Sequence, residues 1–167
     1  MSQRQPNPLL VGDHRRLARK RPEQLATRTK RQAASALAVV PLFADLSRRD
    51  LARLAKHTDE LSFEPGRSIV EEGAPGEALF VVLSGHAKVM RGGRKVGDLY
   101  PGDFFGELSA LDGGPRTATV RAETPIHVLR LFRHTLVDLL ERDPRLSMKL
   151  LDGVVRRVRQ VEGRGRP

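Results

Sequence analysis

Apolar and polar positions alternate with a period of two between residues 59 and 132, and turns containing glycine or proline interrupt the alternation at short intervals. This pattern is typical of short antiparallel strands joined by tight turns. Gly92-Gly93 between two such runs is a strong hairpin signal, because a two-residue primed turn needs positive φ at both central positions. The pattern favours a mainly β antiparallel barrel or jelly roll over a parallel sheet. The predicted strands cover residues 59–64, 68–72, 78–84, 86–91, 94–99, 117–122 and 126–132.

A helical pattern precedes the strands. Pro22 and Glu23 are typical of the first turn of a helix, and Pro41 is expected to end that helix. A second, short helix is expected after Ser47, which has the spacing of an N-cap relative to Asp50. The apolar contacts of the first helix would be Leu25, Ala33, Ala36, Leu37 and Val40, and those of the second Leu51, Leu54 and Ala55.

Helical spacing returns after the strands. Pro144 separates a short amphipathic helix, which begins near Arg133, from a longer one expected over 145–162. Gly153 is expected to destabilise the longer helix by about 1 kcal/mol relative to alanine. The apolar positions are Leu136, Val137, Leu139 and Leu140 in the short helix and Leu146, Leu150, Leu151, Val154, Val158 and Val161 on one side of the long helix, with Arg156, Arg157 and Arg159 on its other side.

These patterns divide the chain into four segments. Residues 1–21 mix proline, glycine and charge without periodicity and are expected to be a disordered basic arm. The N-terminal helix over 22–40 follows, then one domain over 41–162 and a short basic tail over 163–167. A length of 167 residues suits one domain with such appendages.

The positive charge of the chain lies at its two ends. The formal net charge is +10, from 30 Lys and Arg against 20 Asp and Glu. Residues 1–40 contribute +7 and residues 153–167 contribute +4, whereas residues 41–152 carry 16 basic and 17 acidic side chains. A basic protein suggests nucleic-acid binding. However, no aromatic residue precedes Phe43, so the basic arm offers bases nothing to stack on.

The composition of the chain also argues against several classes of protein function. The absence of cysteine excludes disulfides, a cysteine nucleophile and thiolate metal sites. The five histidines show no metal-ligand spacing and no catalytic constellation is found, so we expect no metal site and no enzyme. The longest apolar stretch has nine residues, well short of the roughly 20 that a membrane-spanning helix needs. Without a secretory signal pattern, a cytoplasmic location is expected.

One segment breaks the strand pattern and carries candidate chemistry. Residues 102–111 leave a turn and become helical, and Arg116 follows where the chain returns to a strand. A glycine that opens a short helix exposes unpaired backbone N–H groups, which attract anions, and an arginine beside them can bind a phosphate with two donors. Glu107 would repel a bare phosphate, so its presence indicates a ligand that also has hydroxyl donors, as ribose does. Phosphate and sugar together predict a nucleotide.

The same segment resembles the phosphate-binding cassette of the cyclic nucleotide-binding domains. These occur in the regulatory subunits of cyclic-AMP-dependent kinase, cyclic-GMP-dependent kinases, catabolite activator proteins and nucleotide-gated channels. The resemblance implies a jelly-roll barrel of the double-stranded β-helix type, with N-terminal helices and two C-terminal helices. It rests on Phe105 to Leu111 and Pro115 to Val120, and on upstream spacing at Pro65-Gly66, Ile69, Gly73, Gly76, Leu79-Phe80 and Ser84-Gly85.

The resemblance also implies a role for each residue of the cassette. Glu107 would accept a hydrogen bond from the ribose 2′-hydroxyl, and Arg116, nine positions later, would pair with the exocyclic phosphate oxygens. The cyclic phosphate itself would be held by the backbone N–H groups of Gly106, Leu108 and Ser109.

The residues after the arginine bear on the identity of the base. Members of the family differ in the residue that they have at the position of Thr117. Ala118 follows it and is the last residue of the candidate site. A hydroxyl there resembles the cyclic-GMP-preferring kinases, whereas channels with threonine at this position often favour cyclic AMP. We therefore favour cAMP over cGMP as the ligand.

The sequence thus predicts a stand-alone cyclic-nucleotide sensor. Only five residues follow Glu162, so its output is expected to be association with an unidentified protein partner, or a homodimer through the last helix, switched by ligand binding. Two alternatives stay open: a nucleic-acid-associated regulator that uses the basic arm, and a scaffold that has lost ligand binding. A simpler interpretation of Arg116 alone is a solvated loop arginine paired with Asp112.

Overall fold

The computed structural model of the chain describes residues 23–24 and 30–164. The expected disordered arm over 1–21 and residues 165–167 of the basic tail lie outside the described residues and stay predictions. Within the described residues, the strands from Thr58 to Phe132 lie between N-terminal helices and two C-terminal helices, in the predicted order, and one further short strand precedes the first helix.

The strands form two antiparallel sheets that face each other. They are β1 (Glu23–Gln24), β2 (Thr58–Phe63), β3 (Ser68–Val70), β4 (Ala78–Ser84), β5 (Ala87–Arg91), β6 (Arg94–Leu99), β7 (Phe104–Phe105), β8 (Thr119–Ala122) and β9 (Ile126–Phe132). One sheet has the order β1-β2-β9-β4-β7 and the other β3-β8-β5-β6. All of these pairings are antiparallel, which confirms the predicted mainly β fold with flanking helices.

The turns and strand limits largely match the prediction. Gly92 and Gly93 have positive φ, 56° and 75°, and Arg91 lies opposite Arg94 in the hairpin between β5 and β6. The structure adds the short strand β7, which pairs with β4. Two residues are too few to show a period of two, so the sequence pattern could not predict β7.

β4 is buried on both faces, which explains why its sequence shows no polar alternation. Leu79 and Val81 belong to an apolar cluster shared with the helices, outside the barrel. Phe80 and Val82 belong to the cluster inside the barrel. That inner cluster is completed by Leu61, Ala78, Ala87, Leu99, Phe105, Val120, Ala122, Ile126 and Val128.

Most of the helices pack against the outer face of the β4 sheet. They are α1 (Lys30–Ala38), a 3-10 helix (Pro41–Phe43), α2 (Arg48–Lys56), α3 (Glu107–Asp112), α4 (Arg133–Arg142) and α5 (Pro144–Arg164). Phe43 is fully buried in the cluster that these helices share with the sheet. Lys149 of α5 donates to the carbonyl oxygen of Pro41 at 3.0 Å and to Asp45 at 2.6 Å, so α5 is held against the 3-10 helix. This hydrogen bond from Lys149 lowers the pKa of Asp45.

The predicted N-cap of α2 is confirmed. Ser47 Oγ accepts a hydrogen bond from the Asp50 backbone N–H at 3.1 Å and donates one to the Asp50 carboxylate at 2.7 Å. Leu51 and Leu54 are buried, as the spacing of the apolar residues predicted.

The predicted start of the first helix is wrong. Glu23–Gln24 form β1, which pairs with the edge of β2, and α1 begins only at Lys30. The backbone hydrogen-bonding groups of β1 are satisfied by pairing with β2, which is distant in the sequence. Local first-turn signals therefore cannot reveal this pairing. Leu37 and Val40 are buried as expected. Two other expected contacts, Leu25 and the side chain of Ala33, lie outside the described residues.

The apolar side predicted for α5 is split in the structure. Leu146 and Leu150 are buried, but Leu151 and Val158 have exposed fractions of 52% and 51%. The core contacts only a narrow stripe of the helix, and leucines at adjacent positions lie about 100° apart around its axis. The predicted apolar side was therefore too wide. The side chain of Val161 lies outside the described residues.

Candidate functional site

The cassette, residues 105–120, begins with a backbone turn that requires glycine. Gly106 is the N-cap residue of α3 and has φ 77°, in the left-handed region. A β-carbon on Gly106 would lie 2.9 Å from the backbone oxygen of Ala78. The opening amides of α3 have no acceptor within the helix. Phosphate binding by the amides of Gly106, Leu108 and Ser109 is consistent with this placement and stays a prediction.

Arg116 is buried beside this turn, with only 7% of its surface exposed. Its Nη1 donates to the backbone oxygen of Ala78 at 2.8 Å and to that of Gly106 at 3.1 Å. The guanidinium carbon lies 5.6 Å from the centre of the Phe80 ring. Arg116 is therefore not a solvated loop arginine, and Asp112 instead accepts a hydrogen bond from the Gly114 backbone at 2.7 Å.

Two glycines leave the space that the Arg116 side chain occupies. A β-carbon on Gly76 would lie 2.1 Å from Arg116 Nε, and one on Gly106 would lie 2.5 Å from Arg116 Nη1. Real β-carbons do not approach other atoms so closely, so any larger residue would displace the guanidinium. The glycines and the arginine form one unit, although Gly76 and Arg116 are distant in the sequence.

The charge of Arg116 lacks a directly bound counter-ion among the described residues. Its burial lowers the pKa of the guanidinium, and the nearby negative charge of Glu107 acts in the opposite direction. The side chain stays charged, because the ordinary pKa of arginine is far above neutral. Its hydrogen bonds to described residues are made by Nη1 to neutral carbonyls, so Nε and Nη2 remain as donors for an anion.

Glu107 is the second buried charge of the site and is bonded to α5. Its side chain is 6% exposed, and Oε1 accepts from Arg157 Nη1 at 2.5 Å. The Arg157 guanidinium also lies over the ring of Phe104, 4.8 Å from its centre. The prediction that Arg157 lies on the polar side of the last helix, opposite its apolar residues, is therefore wrong.

Arg157 is the contact of Glu107 that the sequence pattern missed, although a signal was present. Leu146, Leu150, Gly153 and Arg157 follow the spacing of one helical stripe, and the first three are buried. An arginine that continues a buried stripe is a candidate for a buried partner. Its partner Glu107 lies 50 residues earlier, so the sequence does not identify the pair.

The other predicted site residues surround these two charges. Ser109 is buried, and its hydroxyl donates to the backbone oxygen of Pro115 at 3.1 Å, which ties α3 to the segment carrying Arg116. Leu108 and Thr117 are exposed and Ala118 is half-buried. The Thr117 backbone oxygen accepts from Arg91 Nε at 3.1 Å.

Gly153 lets α5 approach the cassette. A β-carbon there would lie 2.4 Å from Cζ of Phe104. We expect Gly153→Ala to destabilise the protein by about 1 kcal/mol, because overpacking costs about 1–3 kcal/mol and outweighs a gain in helix propensity of about 1 kcal/mol. Urea unfolding measures the difference. The control is Gly163→Ala in the same helix, where nothing lies within 4 Å of the added carbon. The control should keep or slightly raise stability, and a stabilised Gly153→Ala variant would contradict the proposed contact.

Within the part of the chain that the structure describes, neither a metal-binding cluster nor a membrane-spanning helix is found. Among the described residues, no group of three or more His, Asp or Glu side chains is arranged to hold a metal ion. Over the same residues, no helix combines the length and apolar character needed to cross a membrane. The candidate site is thus a buried cation, a buried carboxylate and the backbone groups of α3.

Comparison with known proteins identifies the family to which this fold belongs. The sequence profile of the cyclic nucleotide-binding domain matches residues 60–143, half of the chain. The crystal structure of the catabolite activator protein of Thermus thermophilus superposes with a TM-score of 0.65 at 32% sequence identity, over 73% of this chain and 60% of that one.

Two curated relatives are regulatory proteins. The chain is 38% identical over 117 residues to the cAMP-dependent protein kinase regulatory subunit of Aspergillus fumigatus, covering 69% of this chain and 28% of that protein. It is 31% identical over 133 residues to the CRP-like cAMP-activated global transcriptional regulator of Mycobacterium tuberculosis, covering 75% of this chain and 58% of that protein. The match therefore spans only part of each relative. By its profile match, its fold and its cassette, this chain belongs to the cyclic nucleotide-binding domain family.

Proposed function

We propose that this chain is a cyclic-nucleotide sensor that binds its ligand at the cassette. The observation that carries the proposal is the buried Arg116, whose Nη1 is held by two backbone carbonyls while Nε and Nη2 remain as donors. A buried charge without a directly bound partner is costly, and a phosphate would supply the missing negative charge through two parallel hydrogen bonds. Glu107 would accept from the ribose 2′-hydroxyl and thereby distinguish a nucleotide from phosphate alone.

The proposed ligand is cAMP in preference to cGMP. Both relatives described above carry cAMP in their names, as a kinase regulatory subunit and as a transcriptional regulator. Thr117 would present its hydroxyl at the exposed end of the cassette, beside the base. We propose a binding role without catalysis, in which the ligand switches the association of the chain with a protein partner through α4 and α5.

Titration calorimetry of the full chain against cAMP, cGMP and the non-cyclic nucleotide 5′-AMP tests the proposed function. We expect saturable binding of both cyclic nucleotides, tighter for cAMP, and much weaker binding of 5′-AMP, whose phosphate has a different shape and charge. If the chain binds neither cAMP nor cGMP, the alternative of a scaffold without ligand binding is supported. Equal affinity for all three would show that the site recognises phosphate but not its cyclic form.

We also propose that a second copy of the chain covers the exposed apolar stripe of α5. The stripe consists of Met148, Leu151, Val155 and Val158, with exposed fractions between 41% and 57%. Its spacing of three, four and three residues is that of a coiled-coil seam, and the same stripe on two copies is self-complementary.

An aspartate in this stripe should separate the dimer. We expect the wild-type chain to sediment as a dimer and Leu151→Asp as a monomer, because a charge at the centre of an apolar seam is buried without a partner. Arg156→Asp is the control, since it introduces the same side chain at an exposed position outside the stripe. A wild-type chain that remains monomeric at all concentrations used would contradict the dimer and leave the nucleotide site unaffected.

A further inference from the structure

We infer that Arg91 is a positioning residue for recognition of the base. Together with Glu72 it fixes the backbone of Thr117 in the cassette, so that the Thr117 hydroxyl can discriminate between cAMP and cGMP. This inference rests on the proposed function, which places Thr117 beside the base. It is carried by two side-chain hydrogen bonds that hold the tip of the β5–β6 hairpin against the end of the cassette.

Thr117 lies where the strand pairing of the sheet has ended. β8 lies between β3 and β5 in its sheet. The outermost pair of β8 with β5 joins Thr119 to Met90, and its outermost pair with β3 joins Val120 to Val70. Thr117 precedes β8 by two residues. The direction of its side chain is therefore defined by contacts other than the strand ladder.

Arg91 supplies such a contact from the β5 side. It is the last residue of β5 and follows the Met90–Thr119 pair. Its Nε donates to the backbone oxygen of Thr117 at 3.1 Å, so a side-chain bond takes the place of the next ladder bond. Because a peptide unit is planar, a bond to this oxygen orients the whole unit between Thr117 and Ala118. Arg91 thereby restricts the direction in which the Thr117 side chain leaves the backbone.

Glu72 holds the hairpin tip from the other side of β8. Its backbone N–H donates to Thr119 Oγ1 at 2.9 Å, and its Oε2 accepts from the Gly92 backbone N–H at 2.9 Å. Glu72 follows β3 and Gly92 follows β5, so this side chain reaches across the strand between them. The hairpin tip, and Arg91 with it, is thus fixed relative to the strand that follows the cassette.

The backbone of Arg116 is held by a separate pair of bonds. Gly73 N–H donates to the Arg116 oxygen at 2.8 Å, and Arg116 N–H donates to the Ala74 oxygen at 2.9 Å. Neither bond involves the hairpin. Loss of the Arg91 contact should therefore leave the proposed phosphate contact in place and change the selection of the base.

The test measures the ratio of the cAMP and cGMP affinities of the full chain by titration calorimetry. Thr117→Ala should change this ratio by about 2- to 10-fold, the range for one neutral hydrogen bond. Arg91→Met removes the donor at similar side-chain length and should shift the ratio in the same direction, and Arg91→Lys, which keeps a donor, should restore part of it. If Arg91 acts through the Thr117 hydroxyl, the double variant should have the ratio of Thr117→Ala alone.

Two matched controls separate positioning from loss of charge. Arg94→Met removes the same charge from an exposed arginine opposite Arg91 in the hairpin and should keep the wild-type ratio. Glu72→Ala should reproduce the shift of Arg91→Met, whereas Glu71→Ala, at an exposed position one residue earlier, should not. In hydrogen exchange, the Gly92 amide should exchange faster in Glu72→Ala than in Glu71→Ala.

The outcomes separate the inference from the proposed function. If the wild-type chain binds cyclic nucleotides and either Arg91→Met or Thr117→Ala keeps the wild-type ratio, the positioning role is wrong and the proposed function stands. If Arg91→Met shifts the ratio equally when Thr117 is already alanine, Arg91 does not act through the hydroxyl, and the positioning role is again wrong. If the wild-type chain binds neither nucleotide, the proposed function is wrong and the inference falls with it.

Discussion

Replacement of Arg116 by alanine should remove most of the affinity for cyclic nucleotides. Removing one partner of a buried charge pair costs about 2–5 kcal/mol, which corresponds to a loss of roughly 30-fold to several-thousand-fold in Kd. The loss should be large because Arg116 is the buried cation of the cassette, and because Gly76 and Gly106 leave a space that only its side chain fills. Titration calorimetry with cAMP measures the change.

Two further variants make this result specific. Arg116→Lys keeps the positive charge but loses the planar pair of donors, so its affinity should lie between those of wild type and Arg116→Ala. Arg121→Ala removes an exposed arginine from β8 and should bind as wild type does. Circular dichroism checks that each variant is folded. A folded Arg116→Ala variant with wild-type affinity would show that the phosphate is bound elsewhere.

Replacement of Phe43 by alanine should have the largest effect on stability. Phe43 is fully buried in the 3-10 helix, within the cluster that joins the helices to the outer face of β4. Truncation of a buried phenylalanine costs about 3–5 kcal/mol, from lost apolar burial and the cavity that remains. Such a loss is a large fraction of the stability of a small domain. Urea denaturation measures the free energy of unfolding.

Phe43→Leu should cost much less, because it keeps most of the apolar volume. Val39→Ala lies four residues earlier at a position that is 81% exposed, and it should change stability by less than about 0.5 kcal/mol. The nucleotide affinity of the folded Phe43 variants should stay close to that of wild type, since Phe43 belongs to the outer apolar cluster, whereas Arg116 lies over Phe80 of the inner one. A loss of less than about 1 kcal/mol for Phe43→Ala would contradict the assigned packing.

The strands were predictable because their signals are local. Alternation of apolar residues and the glycines of the turns gave most strand limits to within two residues, and Gly92-Gly93 gave the hairpin. The same is true of the cap formed by Ser47, whose partner is three residues away. By contrast, the sequence showed Pro22 and Glu23 as a helix start, and pairing with β2 overrode that local preference.

The candidate site, like the fold, was predictable from the sequence only in part. The residue types and spacing of Glu107 and Arg116 were sufficient to suggest phosphate and ribose chemistry. Their surroundings were not predictable, because the space for Arg116 depends on Gly76, which is 40 positions away in the sequence. The exposed and buried stripes of α5 could not be separated, since periodicity gives the angle between side chains but not the direction in which the helix faces.

Short segments of the sequence are sufficient to predict the class of fold and the candidate residues of the cassette, because backbone preferences and side-chain donors are local properties. Folding places Arg116 against two backbone carbonyls and Arg157 of α5 against Glu107, and the sequence reveals neither contact. The physical reason is that burial and ion pairing depend on which distant segments the barrel brings together. The contact of Arg157 on the last helix with Glu107 at the proposed ribose site is one that depends on tertiary structure in this way.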